Sequence, residues 1–214
     1  MSSAADPSTD RRAIRGQATR QRIVEAARDV LVAHGHGGAS TRAVAEAAGV
    51  NLSQVHYHFG GRQGLLIEVL HQENDALLER QRALYAAPGS LSEKWRIASD
   101  FLDKDLESGY VRVLWELWAA GLTDPDLATG WREAVGGWRD LLESVYSAWA
   151  EDLGIELPLS ARAVATLVGN LFFGMEAELL AGVEAPHREV LDAIGVLIER
   201  AESAPADAPR STRP

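Results

Sequence analysis

Glycine cuts the chain between Thr19 and Arg62 into three short helical pieces, and this punctuation limits what that part can fold into. From Thr19 the apolar positions Ile23, Ala27, Val30 and Leu31 fall on one helical face. Gly35 follows where a glycine ends a helix, which predicts a first helix over roughly 19–34. Residues 34–39, H-G-H-G-G-A, hold three glycines and exclude regular structure. Ser40 or Thr41 then offers an N-cap, and Val44, Ala45 and Ala48 predict about two turns that stop at Gly49. Asn51 is a second N-cap, with Val55 and Phe59 four apart and core-facing before Gly60-Gly61 breaks the chain again. Three short helices joined by glycine turns make a compact module.

From Arg62 a longer amphipathic helix is expected to run to about Ala86, with Leu66, Val69, Leu70, Leu77 and Leu84 on its buried side and Pro88-Gly89 as its stop. Further helices are expected at about 91–107, 110–121, 126–151, 160–182 and 187–202, separated by Gly109, Asp124-Pro125, Gly154 to Pro158, and Pro186. No run alternates apolar and polar residues as a strand would. The chain therefore reads as all-α with about nine helices: a polar arm at 1–17, a helix-turn-helix domain at 18–62, a larger helical domain at 63–202, and a Pro-rich disordered tail at 203–214.

Composition narrows the function classes. Cysteine is absent, so thiolate nucleophiles and cysteine zinc sites are excluded together with disulfides. The first residues lack the apolar centre of a signal peptide, and no stretch approaches 18 uninterrupted apolar residues, so a cytoplasmic location is expected. The net charge of −10 hides an asymmetry. Residues 1–62 hold eight Arg against five acids, a net of +3, while the remainder holds 13 basic and 26 acidic residues, a net of −13. One end can face phosphate while the other repels it.

The stretch S-T-R-A-V-A-E-A-A-G-V-N-L-S-Q-V-H-Y-H-F-G-G-R, Ser40 to Arg62, has the layout of a helix-turn-helix, whose second helix enters the DNA major groove. Gln can pair twice with adenine, Ser can bond several base edges, and Leu52 methyls can pack on a thymine methyl. No acid stands between Ala47 and Gly64, where a carboxylate would repel the phosphate backbone. Thr41 and Arg42 on one side and Arg62 on the other supply phosphate donors. His56 and His58 are two apart on a helix and face different ways, so they are not read as a metal pair. His58 is expected to pack the module. No metal or cofactor is expected.

The run A-E-A-A-G-V-x-x-S-x-V-x-Y-H-F-x-x-R-x-x-L-L, Ala45 to Leu66, resembles the DNA-binding domain of TetR-type regulators, and I-V-E-A-A-R-D-V-L-x-x-H-G upstream fits their first helix. The resemblance covers about 50 residues and implies a homodimer whose subunits each carry this module and a larger effector-binding domain. It assigns Thr41, Arg42, Leu52, Ser53, Gln54, His56, Tyr57 and Arg62 to DNA contacts. His56 stands where such proteins usually have Tyr, Arg62 where they have Lys, and His36 where an aromatic follows the first helix's Gly. Arg for Lys keeps the charge and adds a planar fork.

All six Trp lie after residue 94. Trp95, Trp115, Trp118 and Trp138, with Phe172, are taken as the lining of an effector pocket; aromatic faces in an acidic domain predict an apolar or cationic guest. The run Tyr110 to Leu127 bears a looser likeness to the effector domain of the betaine-regulator type. Apolar stripes on the last two helices, Val168, Leu171 and Met175, then Val190, Ile194 and Leu197, suit a four-helix bundle between two subunits, or an internal core. Ser144, His71, Glu116 and Glu176 have no nucleophile elbow, phosphate loop or metal spacing around them, so no enzyme is expected. The expected function is a ligand-released repressor on a palindromic operator. An activator of the same fold and a helical adaptor without sequence-specific DNA binding remain the alternatives.

Overall fold

The computed structural model describes the backbone of residues 7–204 and side chains from residue 14 onward. Among the described residues there are nine helices and no strand: α1 (Pro7–Gly38), α2 (Thr41–Ala47), α3 (Leu52–Phe59), α4 (Arg62–Ala86), α5 (Leu91–Glu107), α6 (Tyr110–Gly121), α7 (Pro125–Leu153), α8 (Ala161–Leu180) and α9 (His187–Ser203). The tail expected from 203 onward lies, from residue 205, outside the described residues. Helix α1 starts at Pro7, within the segment expected as an arm. Proline is tolerated in a first helical turn, where its missing N–H has no intrahelical partner to lose. At the other end Gly35, with φ 65° and ψ −177°, interrupts the helix before His36–Gly38.

The chain divides into two compact units, each assembled from separate stretches of sequence. One comprises the residues through Asp75 and Gly109–Glu133; the other comprises Ala76–Ser108 and the residues from Ala134 on. In the first unit α1 packs on α2, α3 and α6. Ile23, Ala27 and Leu31 of α1, Val44 of α2, Val55 of α3 and Leu65, Leu66 and Leu70 of α4 are fully or almost fully buried. Each of the Ile, Leu and Val side chains among these stabilises the fold by roughly 1.5–3 kcal/mol relative to exposure. Helix α6 approaches α1 closely: a Cβ built on Gly109 would lie 2.8 Å from Val32 Cγ2. Arg20 and Glu68 pair at 2.6 Å, and Arg28 Nε donates to Glu73 at 2.8 Å, which ties α1 to α4 on the unit's surface.

The second unit has a core of Leu91, Trp95 and Leu102 from α5, Leu142 and Tyr146 from α7, Ala165, Val168 and Met175 from α8, and Leu191 from α9. Trp95 Nε1 donates to the carbonyl of Leu191 at 2.8 Å, so its indole is satisfied inside the core. The Glu202 carboxylate accepts from Leu91 N, Ser92 N and Ser92 Oγ and from Trp149 Nε1, which fastens the end of α9 to the start of α5 and to α7. Burial on α4 does not follow one stripe. Leu65, Leu66, Val69 and Leu70 are buried in the first unit's share of the helix, whereas Leu78 and Gln81 rather than Leu77 and Leu84 are buried in the second's. The helix meets a different set of neighbours in each unit, so its buried face rotates. Among the described residues one helix, α8, is long and apolar enough by length and composition to cross a membrane, with a mean hydropathy of 1.4.

Gly64 permits a backbone contact that no other residue allows, because a Cβ there would lie 2.1 Å from the carbonyl oxygen of Phe59. Gly64→Ala is expected to cost about 1–3 kcal/mol through forced backbone movement. Gly136→Ala in α7, where a Cβ meets nothing within 4 Å, is expected to be neutral or to stabilise by up to about 1 kcal/mol. Thermal unfolding of the two variants beside the parent checks this; equal midpoints would contradict the close approach.

Candidate nucleic-acid interface

Helix α2 is started by Ser40, whose Oγ accepts from Ala43 N at 3.1 Å, and α3 by Asn51, whose Oδ1 accepts from Ser53 N at 3.3 Å. Between them Gly49, at φ 63°, makes the turn, and Val50 N donates back to Ala45 O at 3.0 Å. Helix α3 ends at Gly60 in the left-handed region, with Gly60 N donating to His56 O at 2.9 Å. These caps hold an eight-residue helix that could not persist alone.

The two faces of α3 separate cleanly. Val55 is wholly buried, whereas Leu52, Ser53, Gln54, His56 and Tyr57 are all exposed, Tyr57 at 81%. His58 is half-buried and its ring lies edge to face with that of Tyr57, 5.0 Å between centroids. Phe59, expected in the core, is half-buried, and the Arg20 guanidinium covers its ring at 5.1 Å. Thr41 is half-exposed at the start of α2, and Arg42 is exposed with no ion-pair partner among the described residues. The module thus presents one continuous polar edge with an amide, a hydroxyl, an imidazole and a phenol, and one free guanidinium beside it.

Arg62 has a second occupation. Its Nε donates to Ala39 O at 2.7 Å and its Nη2 donates to His36 O, so two of its donors hold the loop between α1 and α2. Gln63 Nε2 donates to both Asp124 Oδ1 and Asp126 Oδ2 at 2.9 Å, and Glu116 of α6 accepts from His36 N at 2.7 Å. Adjacent residues of the first α4 turn therefore grip the α1–α2 loop and the α6–α7 junction. Burial and the neighbouring Arg62 hold the His36 imidazole below its ordinary value, against the opposing pull of Glu116 and Asp124. The hydrogen bond from Arg20 holds the Glu68 carboxyl below its ordinary value, as does one from Gln72.

Sequence reasoning missed Arg20, Gln63, Gly64 and Glu116. The available signal for Gly64 was a glycine inside an amphipathic helix, which calls for a packing reason.

The five residues expected to line one pocket are divided between the two units. Trp115 and Trp118 meet edge to face at 5.0 Å in the first unit. In the second unit Phe172 lies 5.9 Å from Trp95 and 6.2 Å from Trp138. Trp95 is buried core, and Trp138 Nε1 is a buried donor without an acceptor among the described residues. A separate cleft of about 520 Å³ in that unit is lined by Arg82, Tyr85, Leu91, Lys94, Leu141, Ser144, Val145, Ala148, Trp149 and Asp152, among others. Of the expected interface residues, Val168 and Met175 point into the unit's own core, Leu171 and Ile194 pack partly against it, and Val190 and Leu197 are exposed. Helix periodicity does not tell which of two apolar stripes on α8 turns inward.

The sequence from residue 23 to residue 69 matches the family described as bacterial regulatory proteins, tetR family. Residues 23–69 carry this family's sequence pattern. No curated protein matches the chain. Among solved structures, a TetR-family transcriptional regulator from Agrobacterium tumefaciens aligns with a TM-score of 0.72 at 17% identity over 86% of this chain and 98% of that one. FadR from Bacillus subtilis, solved in complex with stearoyl-CoA, aligns with a TM-score of 0.70 at 15% identity over 83% and 96%. The multidrug binding protein EbrR, complexed with imidazole, aligns with a TM-score of 0.60 at 26% identity over 88% and 97%. The remaining helices thus continue the TetR module into the fold of these regulators.

Two outcomes follow from the geometry around α4. Arg62→Ala should destabilise the first unit by about 1–3 kcal/mol, because two loop carbonyls lose their donors, and Arg62→Lys should recover only part. Chemical denaturation at neutral pH reads both. For the Arg20–Glu68 pair, the depressed carboxyl contributes stability above the ordinary Glu range, and this is lost as pH falls through the folded-state value. Arg20→Ala should therefore lower the melting temperature at pH 7 and lower it less once Glu68 is protonated in both states, when only the contact with the Phe59 ring is lost. A penalty constant down to that acid limit would contradict it.

Proposed function

We propose that this protein is a ligand-responsive transcriptional regulator that binds a palindromic operator as a homodimer and acts as a repressor. The observation that carries the reading is the exposed edge of α3, Leu52, Ser53, Gln54, His56 and Tyr57, turned away from buried Val55 and flanked by unpaired Arg42. Base edges in the major groove are met by Gln54 and Ser53, the thymine methyl by Leu52, and the phosphate backbone by Thr41 and Arg42. Arg62 adds to the phosphate set through the N–H groups that its two carbonyl bonds leave over. Two copies place their recognition helices about 34 Å apart in successive grooves.

Pairing is assigned to α8 and α9. Leu167 and Leu197 are 63% and 61% exposed, and Val190 and Val196 are exposed as well, a surface that is costly to leave in water. A helix that lies between its own core and a second copy also accounts for the apolar length of α8. The second unit is the effector-binding part, and the protein works in the cytoplasm, where its DNA lies. A small apolar effector that favours the wider dimer draws the two recognition helices out of register. Coupling of about 1–3 kcal/mol is the usual scale. An activator would use the same module, and a promoter fusion in a deletion strain separates the two.

Selection of bound duplexes from a random library tests the reading. The purified, dimeric protein should enrich an approximate palindrome at moderate salt. Gln54→Ala should lose preference at one position of each half-site by about 1–3 kcal/mol, while Arg42→Ala should weaken all duplexes and lower the salt slope by about one. A library that emerges unenriched would refute the regulator reading.

A further inference from the structure

We infer that the cleft between the end of α4, the start of α5 and the second half of α7 is the effector site, and that it takes an amphiphilic carboxylate: an apolar body carrying one negative head. Its role as effector site rests on the regulator reading; its chemistry does not. The volume of about 520 Å³ is that of a small-molecule site. Leu91, Leu141, Val145 and Ala148 give it an apolar wall, with Trp149 contributing a ring.

The charged lining decides the head group. Arg82 lines the cleft, is exposed, and has no partner among the described residues. Lys94 Nζ donates to the carbonyl of Tyr85 at 2.9 Å, which leaves its remaining N–H groups and its whole charge available. Asp152 is the single acid in the lining. Behind Leu91 and Trp149, the Glu202 carboxylate is saturated by two backbone N–H groups, the Ser92 hydroxyl and the Trp149 indole. It balances the positive end of α5 and presents no free lone-pair surface comparable to that of an unpaired acid. Within the lining two cations face one acid, and the adjacent Glu93 and Glu202 carboxylates are both engaged by N–H groups at the start of α5. An anionic head therefore meets the more available partners, the reverse of the cationic preference suggested by the unit's bulk acidity. Position outweighs net charge, because charges beyond about 8–10 Å are screened in physiological salt.

Tyr85 reinforces this chemistry. Burial pushes its phenol up to about 12, so it stays a neutral hydroxyl at physiological pH. A neutral donor in a lining that also holds two cations suits a carboxylate; a quaternary ammonium would have only the ring faces of Tyr85 and Trp149 and the Asp152 charge to set against those cations.

Binding of decanoate, decyltrimethylammonium and decanol to the full-length protein, measured by isothermal titration below their aggregation limits, tests the inference. Decanoate should bind tightest. Arg82→Glu should weaken decanoate by roughly ten- to hundredfold, the range for loss of one charge-assisted hydrogen bond, and improve the ammonium. Ala148→Trp, at an exposed lining position, should abolish decanoate binding. Preference for the ammonium or the alcohol, or unchanged decanoate affinity in Arg82→Glu, would overturn the inference. So would loss on Trp138→Phe with none on Ala148→Trp, which would place the guest at the ring cluster. Duplex selection without any amphiphile reports on the regulator reading alone, so failure of one does not imply failure of the other.

Discussion

The first turn of α4 is the joint on which the DNA-reading module depends. Two neighbouring side chains face opposite tasks there: Arg62 supplies donors to the carbonyls of His36 and Ala39, and Gln63 supplies donors to Asp124 and Asp126. Carbonyls in a glycine-rich loop have no helix to satisfy them, and leaving them without donors in a half-buried place costs free energy comparable to a lost hydrogen bond. Glu116 completes the circuit from α6 by accepting from His36 N. The orientation of α2 and α3 is thus set by polar contacts at their edge as much as by Val44 and Val55 beneath them.

This joint also explains why the +3 charge of the N-terminal part is not spread evenly over a DNA-facing surface. Arg20 stacks on Phe59 and pairs with Glu68, Arg28 pairs with Glu73, and Arg62 holds the loop. These three guanidiniums are structural before they are anything else. Arg42, unlike these three, stays unpaired among the described residues at the exposed edge of the module, where the proposed function uses it.

Helix boundaries were largely legible in the sequence, because Gly35, Gly49, Gly60, Gly89 and Gly109 all occupy left-handed or otherwise glycine-specific conformations at the breaks. The exposed and buried faces of α3 were equally legible, since one β-branched residue among polar ones leaves little choice. Partners in space were not. Nothing in the spacing of Trp95, Trp115, Trp118 and Trp138 reveals that two of them join α1's unit and two the other, because that depends on which sequence segments fold together. Likewise, α8 carries apolar residues on more than one side, so Val168 and Met175 could not be told from Leu167 by periodicity. Pro7 begins α1 where a polar, Ser-rich opening suggested an arm, since helix starts tolerate residues that interiors reject.

The reading module is not a continuous piece of chain. Its unit closes only when α6 and the opening of α7, residues 109–133, return to join the residues through Asp75. A chimera that grafts the N-terminal segment onto a foreign sensor would leave behind the helix that covers α1 and the carboxylate that fastens His36. Transplanting this unit intact would therefore mean carrying two separated gene segments together, and a single crossover inside α4 would produce a severed half.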